Sequence, residues 1–295
     1  EAIRDVSFYR GSIPAEFGGR ISSVLDIHSK EGDFENWGAS GGIGIISSNL
    51  MFNGPIKKGK TSAAVSLRTT YSDWLVNSVR SNYVDLKNST VSFYDGALKV
   101  AHKFSEKTKL TWSGYVSHDQ FKLQGDSTYR WDNLLSSLKL DHAFSGDFTA
   151  SFLAGYGSYS YHVDDEDPFT GFDLTYKISY PTAKLDFNLQ KENHKFTFGA
   201  QGNYYNFNPG RLTPSGPESN RATVEMDHQK SIETGIYFAD QFELVKSLHV
   251  DAGIRLSGFQ SVGPGSVNVY RDGAPRETLN LIDTLHFADG EKIKT

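Results

Sequence analysis

What most constrains this chain is a period of two. Apolar side chains recur at every second position in one stretch after another, and a helix, with its period of 3.6, cannot gather them on one face. The clearest run is 61–75. There Thr61, Ala63, Val65, Leu67 and Tyr71 share one face, and Ser62, Ser66, Arg68, Thr70 and Ser72 share the other. Residues 36–56 are too long for one membrane strand of about ten residues. They split into strands 36–45 and 49–56, turning near Ser47-Ser48. The pattern returns in 91–104 (Tyr94, Leu98, Val100, Phe104), 109–121 (Leu110, Trp112, Val116), 131–144 (Leu134, Leu138, Leu140, Phe144) and 148–161 (Phe148, Ala150, Phe152, Ala154, Tyr156). It returns again in 172–190, 195–207, 231–244 and 248–260. Within 172–190 the apolar set moves from Phe172, Leu174, Tyr176, Ile178 and Tyr180 to Ala183, Leu185, Phe187 and Leu189. That change of phase predicts a bulge at Pro181-Thr182. The expected fold is all-β, with eleven antiparallel strands.

The connections alternate in length. Short turns are expected at Lys57–Lys60, Ser105–Thr108, Ser145–Asp147, Lys191–His194 and Val245–Ser247. Longer loops are expected at Val76–Thr90, Lys122–Arg130, Val163–Gly171, Asn208–Gln229 and from Val262 onward. Short turns at one end and long loops at the other mark outer-membrane barrels, with the short turns on the periplasmic side. No run of about 18 apolar residues offers a transmembrane helix. The mean hydropathy of −0.45 does not oppose a membrane barrel, because only every second strand residue meets lipid. With no cysteine, the chain has no disulfide and no thiolate chemistry. A net charge of −5 argues against a nucleic-acid partner, which would call for a basic face.

Ahead of the alternating runs lies a different kind of sequence, Phe8 to Gly32. Arg10-Gly11 is followed by Pro14-Ala15-Glu16-Phe17-Gly18-Gly19-Arg20. Pro14 fixes φ, and the glycine pair permits left-handed or crowded backbone. A short strand, Ser23–Ser29, and Lys30-Glu31-Gly32 complete the stretch. It resembles the end of the plug domain of TonB-dependent outer-membrane receptors, where a Pro-Ala-x-Phe/Tyr-Gly-Gly turn precedes the last plug strand and a Lys-x-Gly exit. Asn53-Gly54-Pro55-Ile56, the lysine turn and Thr61-Ser62 resemble the entry to the third barrel strand of that family. Leu67-Arg68-Thr69-Thr70-Tyr71-Ser72-Asp73 resembles its Arg-x-x-Tyr-x-Asp segment. The combination is most similar to receptors of Bacteroidetes-type bacteria. The SusC-type glycan importers among them end the plug with Gly-Val-Ile-x-Ile-Thr-Thr-Lys, where this chain has Ser23-Val24-Leu25-Asp26-Ile27-His28-Ser29-Lys30.

The resemblance implies a plug end over 1–32 and the N-terminal half of an antiparallel transmembrane β-barrel over 33–295. The complete barrel would have 22 strands. It implies active import, across the outer membrane of a Gram-negative bacterium, of a large or scarce ligand such as a metal chelate (a siderophore) or an oligosaccharide. The implied partners are outer-membrane lipid, the TonB complex (through a segment this chain does not contain) and a surface lipoprotein. Eleven strands is an odd number where single-chain bacterial barrels use an even one, and Ile293-Lys294-Thr295 is not the aromatic ending of such barrels. The chain is therefore expected to be part of a longer protein.

Several residues are candidates for ligand contact. Asp164-Asp165-Glu166-Asp167 reads either as a solvated acidic loop or as carboxylates for Ca²⁺. Tyr156, Tyr159, Tyr161 and Phe169 read either as an aromatic girdle at the membrane interface or as stacking groups for a ligand. Arg211 lies in the Pro/Gly-rich loop Asn208–Pro217, of a size used for ligand capture. Arg10, Glu16 and Arg20 are candidates for ion pairs between plug and wall. No HExxH and no Gly-x-Ser-x-Gly is present, so no catalytic residue, metal-ligand set or cofactor is nominated. An outer-membrane barrel enzyme stands as an alternative on His118-Asp119 and His162 with Asp164, and a structural or adhesive barrel as another.

Overall fold

The structure is a computed structural model that describes residues 3–19, 22–78, 89–123, 125 and 127–293. It opens with a separate antiparallel hairpin, β1 (Ile3–Arg10) and β2 (Ser23–Ser29). The chain then runs back and forth through β3 (Gly38–Ile43), β4 (Ser47–Lys57), β5 (Thr61–Thr70), a one-turn helix α1 (Asp73–Ser78), β6 (Thr90–Ser105), β7 (Thr108–Lys122), β8 (Thr128–Ala143) and β9 (Phe148–Asp164). It continues through β10 (Phe172–Lys191), β11 (His194–Pro214), β12 (Val224–Glu225), β13 (Gln229–Val245), β14 (Leu248–Val262), β15 (Gly265–Tyr270) and β16 (Leu281–Phe287). Strands β3 to β11, β13 and β14 form one antiparallel sheet in chain order, with β12 added at β11. These are the eleven strands that the alternation predicts. Strands β6 to β11, β13 and β14 are 15–21 residues long. A membrane crossing takes about 9–11, so these strands exceed the length that a bilayer would need.

The sheet has two chemically distinct faces, and contacts with residues 3–34 identify the inner one. Lys99 Nζ donates to the Ser29 carbonyl at 2.9 Å, Lys109 Nζ to both Glu31 carboxylate oxygens at 3.0 Å, and Lys184 Nζ lies 3.7 Å from a Glu16 oxygen. Residues opposite one another in a ladder share a face. The register therefore carries this parity across the sheet and puts Arg68, Lys139, Gln201, Glu233 and Arg255 on the inner face. Leu67, Leu138, Phe152 and Ile236 fall on the opposite face, 44–58% exposed in the chain alone. Few large apolar side chains are buried; Met51, Val163, Tyr237 and Val262 are the main ones. A polar interior with apolar side chains outward is stable only when the outer solvent is lipid.

The structure departs from the sequence-based expectations at five places. The first hairpin turns at Gly44–Ile46, earlier than Ser47-Ser48, because Ile43 pairs with Ser48. The strand expected to run to residue 75 ends at Thr70. Ser72 Oγ donates to the Val91 carbonyl at 2.5 Å, and Asp73 Oδ1 accepts the Val91 N–H at 3.1 Å. These local bonds draw the chain out of the ladder and into α1. Pro181 carries no bulge: the β9–β10 register runs unbroken through it. On the β11 side the pairing steps from Ser179↔Asn206 to Thr182↔Asn203, as expected where proline supplies no N–H. The phase change is thus a real exchange of faces, with Tyr176, Ile178 and Tyr180 pointing inward. The bulge lies in β11, where Thr175↔Arg211 gives way to Lys177↔Asn208 and Gly210 adopts φ +153°. β11 therefore runs to Pro214 through what reads as a Pro/Gly loop. Finally, the segment after Val262 holds the β15–β16 hairpin rather than a plain loop.

Candidate functional site

The inner face holds the turn Pro14–Gly19 in a ring of charged side chains. The Phe17 N–H closes on the Pro14 carbonyl at 3.0 Å, using the φ that proline fixes. Arg255 Nη1 donates to the carbonyls of Ala15 and Glu16, both at 3.3 Å. Its guanidinium also lies 5.4 Å from the Tyr237 ring centre. Tyr237 donates its hydroxyl to Asp186, and Lys184 sits 3.3 Å from Asp186 and 5.7 Å from the Phe17 ring centre. Gly18 and Gly19 fit because they lack a Cβ: one on Gly18 would meet the Arg255 guanidinium, and one on Gly19, at φ +73°, the Glu233 carboxylate. The segment is held by hydrogen bonds and ion pairs to the wall, not by an apolar core.

Above this seat, toward the long-loop end, the inner face is aromatic. Trp131, Tyr161 and Tyr176, from β8, β9 and β10, stack in succession with ring centres 5.6 and 5.9 Å apart. Tyr180 and Tyr205 form a second pair at 5.7 Å. A cleft of about 850 Å³ lies between Gly19 and the wall. Ile178, Tyr205, Phe207 and Phe259 are among its apolar lining, and Glu233, Ser231 and Ser257 are among a polar lining that also includes Asp227 and Lys230. Glu233 accepts from the Tyr205 hydroxyl at 2.8 Å and from Asn203 Nδ2 at 3.3 Å. Apolar and aromatic walls with a few fixed polar groups are the usual make-up of a small-molecule site.

Tyr159 and Tyr161 lie on this inner face, Tyr156 on the opposite one, and Phe169 at an exposed loop tip. Arg211 is on the face opposite the cleft, 3.7 Å from Glu225. The acidic loop is tied down by its own carboxylates. Asp164 pairs with Arg130, Asp165 accepts from Ser127 Oγ at 3.3 Å and from the Asp167 N–H at 2.9 Å, and Glu166 lies 3.4 Å from Lys122. Asp167 accepts the N–H groups of Thr170 and Phe169 at 2.7 and 2.9 Å and the Thr170 hydroxyl at 2.9 Å. Among residues 10–20, Arg10 pairs with Ser23 at the end of the hairpin, Gly11 takes φ +99°, and Arg20 lies outside the described residues. Of the three charges proposed to bridge plug and wall, Glu16 meets Lys184. Lys99, Lys109, Lys184 and Arg255 are the wall residues that sequence reasoning missed. Their signal is a cation at an inward position between apolar neighbours, such as Arg255 between Ile254 and Leu256. His118 and Asp119 fall on opposite faces, with His118 bonded to Asp132 at 2.7 Å. His162 bonds Thr175 at 3.2 Å, and Asp164 pairs with Arg130, so neither pair weighed for the enzyme alternative is joined by a hydrogen bond among the described residues.

The Asp167 loop lies outside the membrane and gives a pH prediction. The Thr170 N–H foremost, then the Phe169 N–H and the Thr170 hydroxyl, hold the Asp167 carboxyl below its ordinary value. A depressed folded value means that this contribution to loop order is present above the unfolded value of about 3.9 and is lost as pH falls through the folded one. In carboxyl-carbon NMR, Asp167 should titrate below about 3.9, with the Thr170 amide moving in step. A midpoint at or above that of free aspartate would refute the capping role.

Comparison with protein families matches residues 53–278 to a family described as "TonB dependent receptor-like, beta-barrel". No curated protein matches the sequence. Among solved structures, the copper transporter OprC is similar with a TM-score of 0.69 at 10% identity, over 96% of this chain and 46% of that one. The pyoverdine outer-membrane receptor FpvA from Pseudomonas aeruginosa PAO1, bound to pyoverdine, gives 0.68 at 12% identity, over 99% and 48%. BauA, the ferric preacinetobactin receptor from Acinetobacter baumannii, gives 0.63 at 10% identity, over 87% and 47%. The chain spans about half the length of these proteins.

Proposed function

Because the chain belongs to the TonB-dependent receptor-like β-barrel family, we propose that it supplies the plug end and the first half of the barrel wall of an outer-membrane importer. Barrels of this family sit in the outer membrane of Gram-negative bacteria, and their receptors are transporters rather than enzymes. In this reading residues 1–32 are the plug end and 33–295 the wall. The observation that carries it is the seat of the Pro14–Gly19 turn: Arg255 and Lys184 hold it by polar contacts that a pull can break one at a time. An apolar interface of the same extent would have to expose its whole surface to water at once. The TonB complex, engaged through another part of the protein, supplies that pull. The motifs at Pro14–Gly19, Asn53–Ser62 and Arg68–Asp73 support a Bacteroidetes-type receptor, and a surface lipoprotein is its further partner.

The cleft beside Gly19 and the stacked Trp131–Tyr161–Tyr176 wall support capture of a ligand with a planar or apolar face. Metal chelates and oligosaccharides both offer one, and OprC and FpvA are named for copper and pyoverdine. Calorimetric titration of the full-length receptor with ferric hydroxamates, ferric catecholates, a copper salt and maltooligosaccharides tests this reading. One class should bind, and Tyr161→Ala or Tyr176→Ala should weaken that binding by about tenfold, the loss of one aromatic contact. Binding that both substitutions leave unchanged would move the site elsewhere.

A further inference from the structure

We propose that the lipid-side face carries a phospholipid-headgroup belt at its short-turn end, built from a repeated threonine–histidine–phenylalanine cluster. His102 Nδ1 lies 2.8 Å from Thr61 Oγ1, and its ring meets Phe104 edge-on, centres 4.8 Å apart at 75°. His142 repeats the arrangement: Nδ1 is 2.8 Å from Thr108 Oγ1, and the ring meets Phe144 edge-on at 4.6 Å and 77°. Each histidine sits on the last rungs before a short turn, on the same face as Leu98, Leu138 and Leu140. His194, the first residue of β11, gives a third and acidic version. Its Nδ1 is 2.8 Å from Asp240, and its ring stacks on Phe196 and Phe242 at 5.5 and 5.1 Å. Between the second and third of these points ring contacts run from the β8–β9 turn across β9, β10 and β11: Phe144–Phe148, Phe148–Phe187 and Phe187–Phe198 are 5.1, 6.0 and 5.2 Å apart.

The depth of these clusters selects their partner. On the lipid side of β8, Asp132 and His142 enclose Leu134, Ser136, Leu138 and Leu140. Ten residues at about 3.3 Å, tilted by about 40°, span roughly 25 Å. That is the height of the apolar band of an outer-membrane barrel. His118, bonded to Asp132, marks the band's other edge, and His102 and His142 stand where acyl chains end and headgroups begin. Phe104 and Phe144, 62% and 53% exposed, lie two residues nearer the short turns, on the headgroup side of that boundary. In the tautomer whose Nδ1 accepts from the threonine hydroxyl, Nε2 carries the proton and can donate. Nε2 of His102 and of His142 makes no hydrogen bond among the described residues, and both rings are half-buried. The short turns add Lys57, Lys58, Lys60, Lys107, Lys191 and Lys246 against Glu106, Asp147 and Glu192. A donor ring above a rim richer in lysine than in carboxylate suits a phosphate group held at the membrane surface. Since short turns are periplasmic, the partner is a glycerophospholipid of the periplasmic leaflet.

This rests on the outer-membrane reading and its orientation, which an independent measurement separates. In intact cells an impermeant maleimide should leave Lys58→Cys unlabelled, and labelling would overturn the leaflet assignment. The site itself is tested by native mass spectrometry of the full-length receptor with phosphatidylglycerol. Retention should fall about fivefold in the double variant His102→Leu/His142→Leu, the scale of a lost hydrogen bond. It should recover in His102→Gln/His142→Gln and stay unchanged in His118→Leu at the other edge. Equal retention in all four proteins overturns the proposal. Should the leucine variant fail to fold, ¹⁵N-imidazole spectra of the unmodified receptor decide. The Nε2 signals of His102 and His142 should shift between phosphatidylglycerol nanodiscs and maltoside micelles, and no shift overturns the belt.

Discussion

Leu138→Arg should lower the stability of the receptor in phospholipid vesicles by about 2–4 kcal/mol, the cost of a cation near the bilayer midplane. Leu138 lies mid-strand in β8, on the face opposite Lys184 and Glu16, with Trp112 and Ala154 as its cross-strand neighbours. Asp132 and His142 on the same side of the strand are too far away to pair with an arginine placed there. Snorkelling to either edge would need about half the band's height. The neighbouring Lys139 points inward and lies 3.0 Å from Asp141, so Lys139→Arg should be nearly neutral. Urea unfolding of both variants, followed by tryptophan fluorescence, separates the two faces. A neutral Leu138→Arg would mean that the whole sheet is assigned inside out, since a slip of one residue exchanges every side chain.

Gly32→Val should unseat residues 3–32 from the wall. Gly32 is buried where the chain leaves β2 and enters the sheet. A Cβ there would lie 2.6 Å from the Ala63 carbonyl carbon and 2.7 Å from its nitrogen. These are backbone atoms held in the β4–β5–β6 ladder, so they cannot swing aside as the Arg255 guanidinium beside Gly18 can. Overpacking of this kind costs about 1–3 kcal/mol. The nearest contacts to be lost are those of Glu31 with Lys109 and of Ser29 with Lys99. If residues 1–32 are the plug end, planar-bilayer recordings of the full-length receptor should show open-channel currents for Gly32→Val where the unmodified protein stays closed. Gly11→Val, at an open turn with nothing within 4 Å of its Cβ, controls for backbone strain alone and should stay closed. Two closed channels would show that Gly32 does not govern the seating of this segment.

Much of this architecture was legible without coordinates. Alternation is a local property, and sorting between lipid and water acts on each strand separately, so Leu67 against Arg68 or Ile236 against Glu233 could be placed from their parity alone. Loop lengths likewise marked the two ends of the sheet. Local chemistry misled where tertiary pairing outweighed it. Pro181 reads as a bulge, yet the β9 ladder holds its register, and the extra residue was accommodated at Gly210 instead. Ser72 and Asp73 read as more strand, but their bonds to Val91 exist only because β6 returns alongside.

By itself, then, the sequence determined the number of strands in the main sheet, the alternation of faces within each strand outside the phase change in β10, and the end at which the long loops lie, because period and turn chemistry are written in neighbouring residues. The tertiary structure alone decided which residues meet. Trp131, Tyr161 and Tyr176 form one wall because the registers of β8, β9 and β10 bring them level. Arg255 reaches Ala15 across 240 positions of chain, and Thr61 reaches His102 across 41. Such contacts depend on how one strand slides against the next, and no period within a single strand records that.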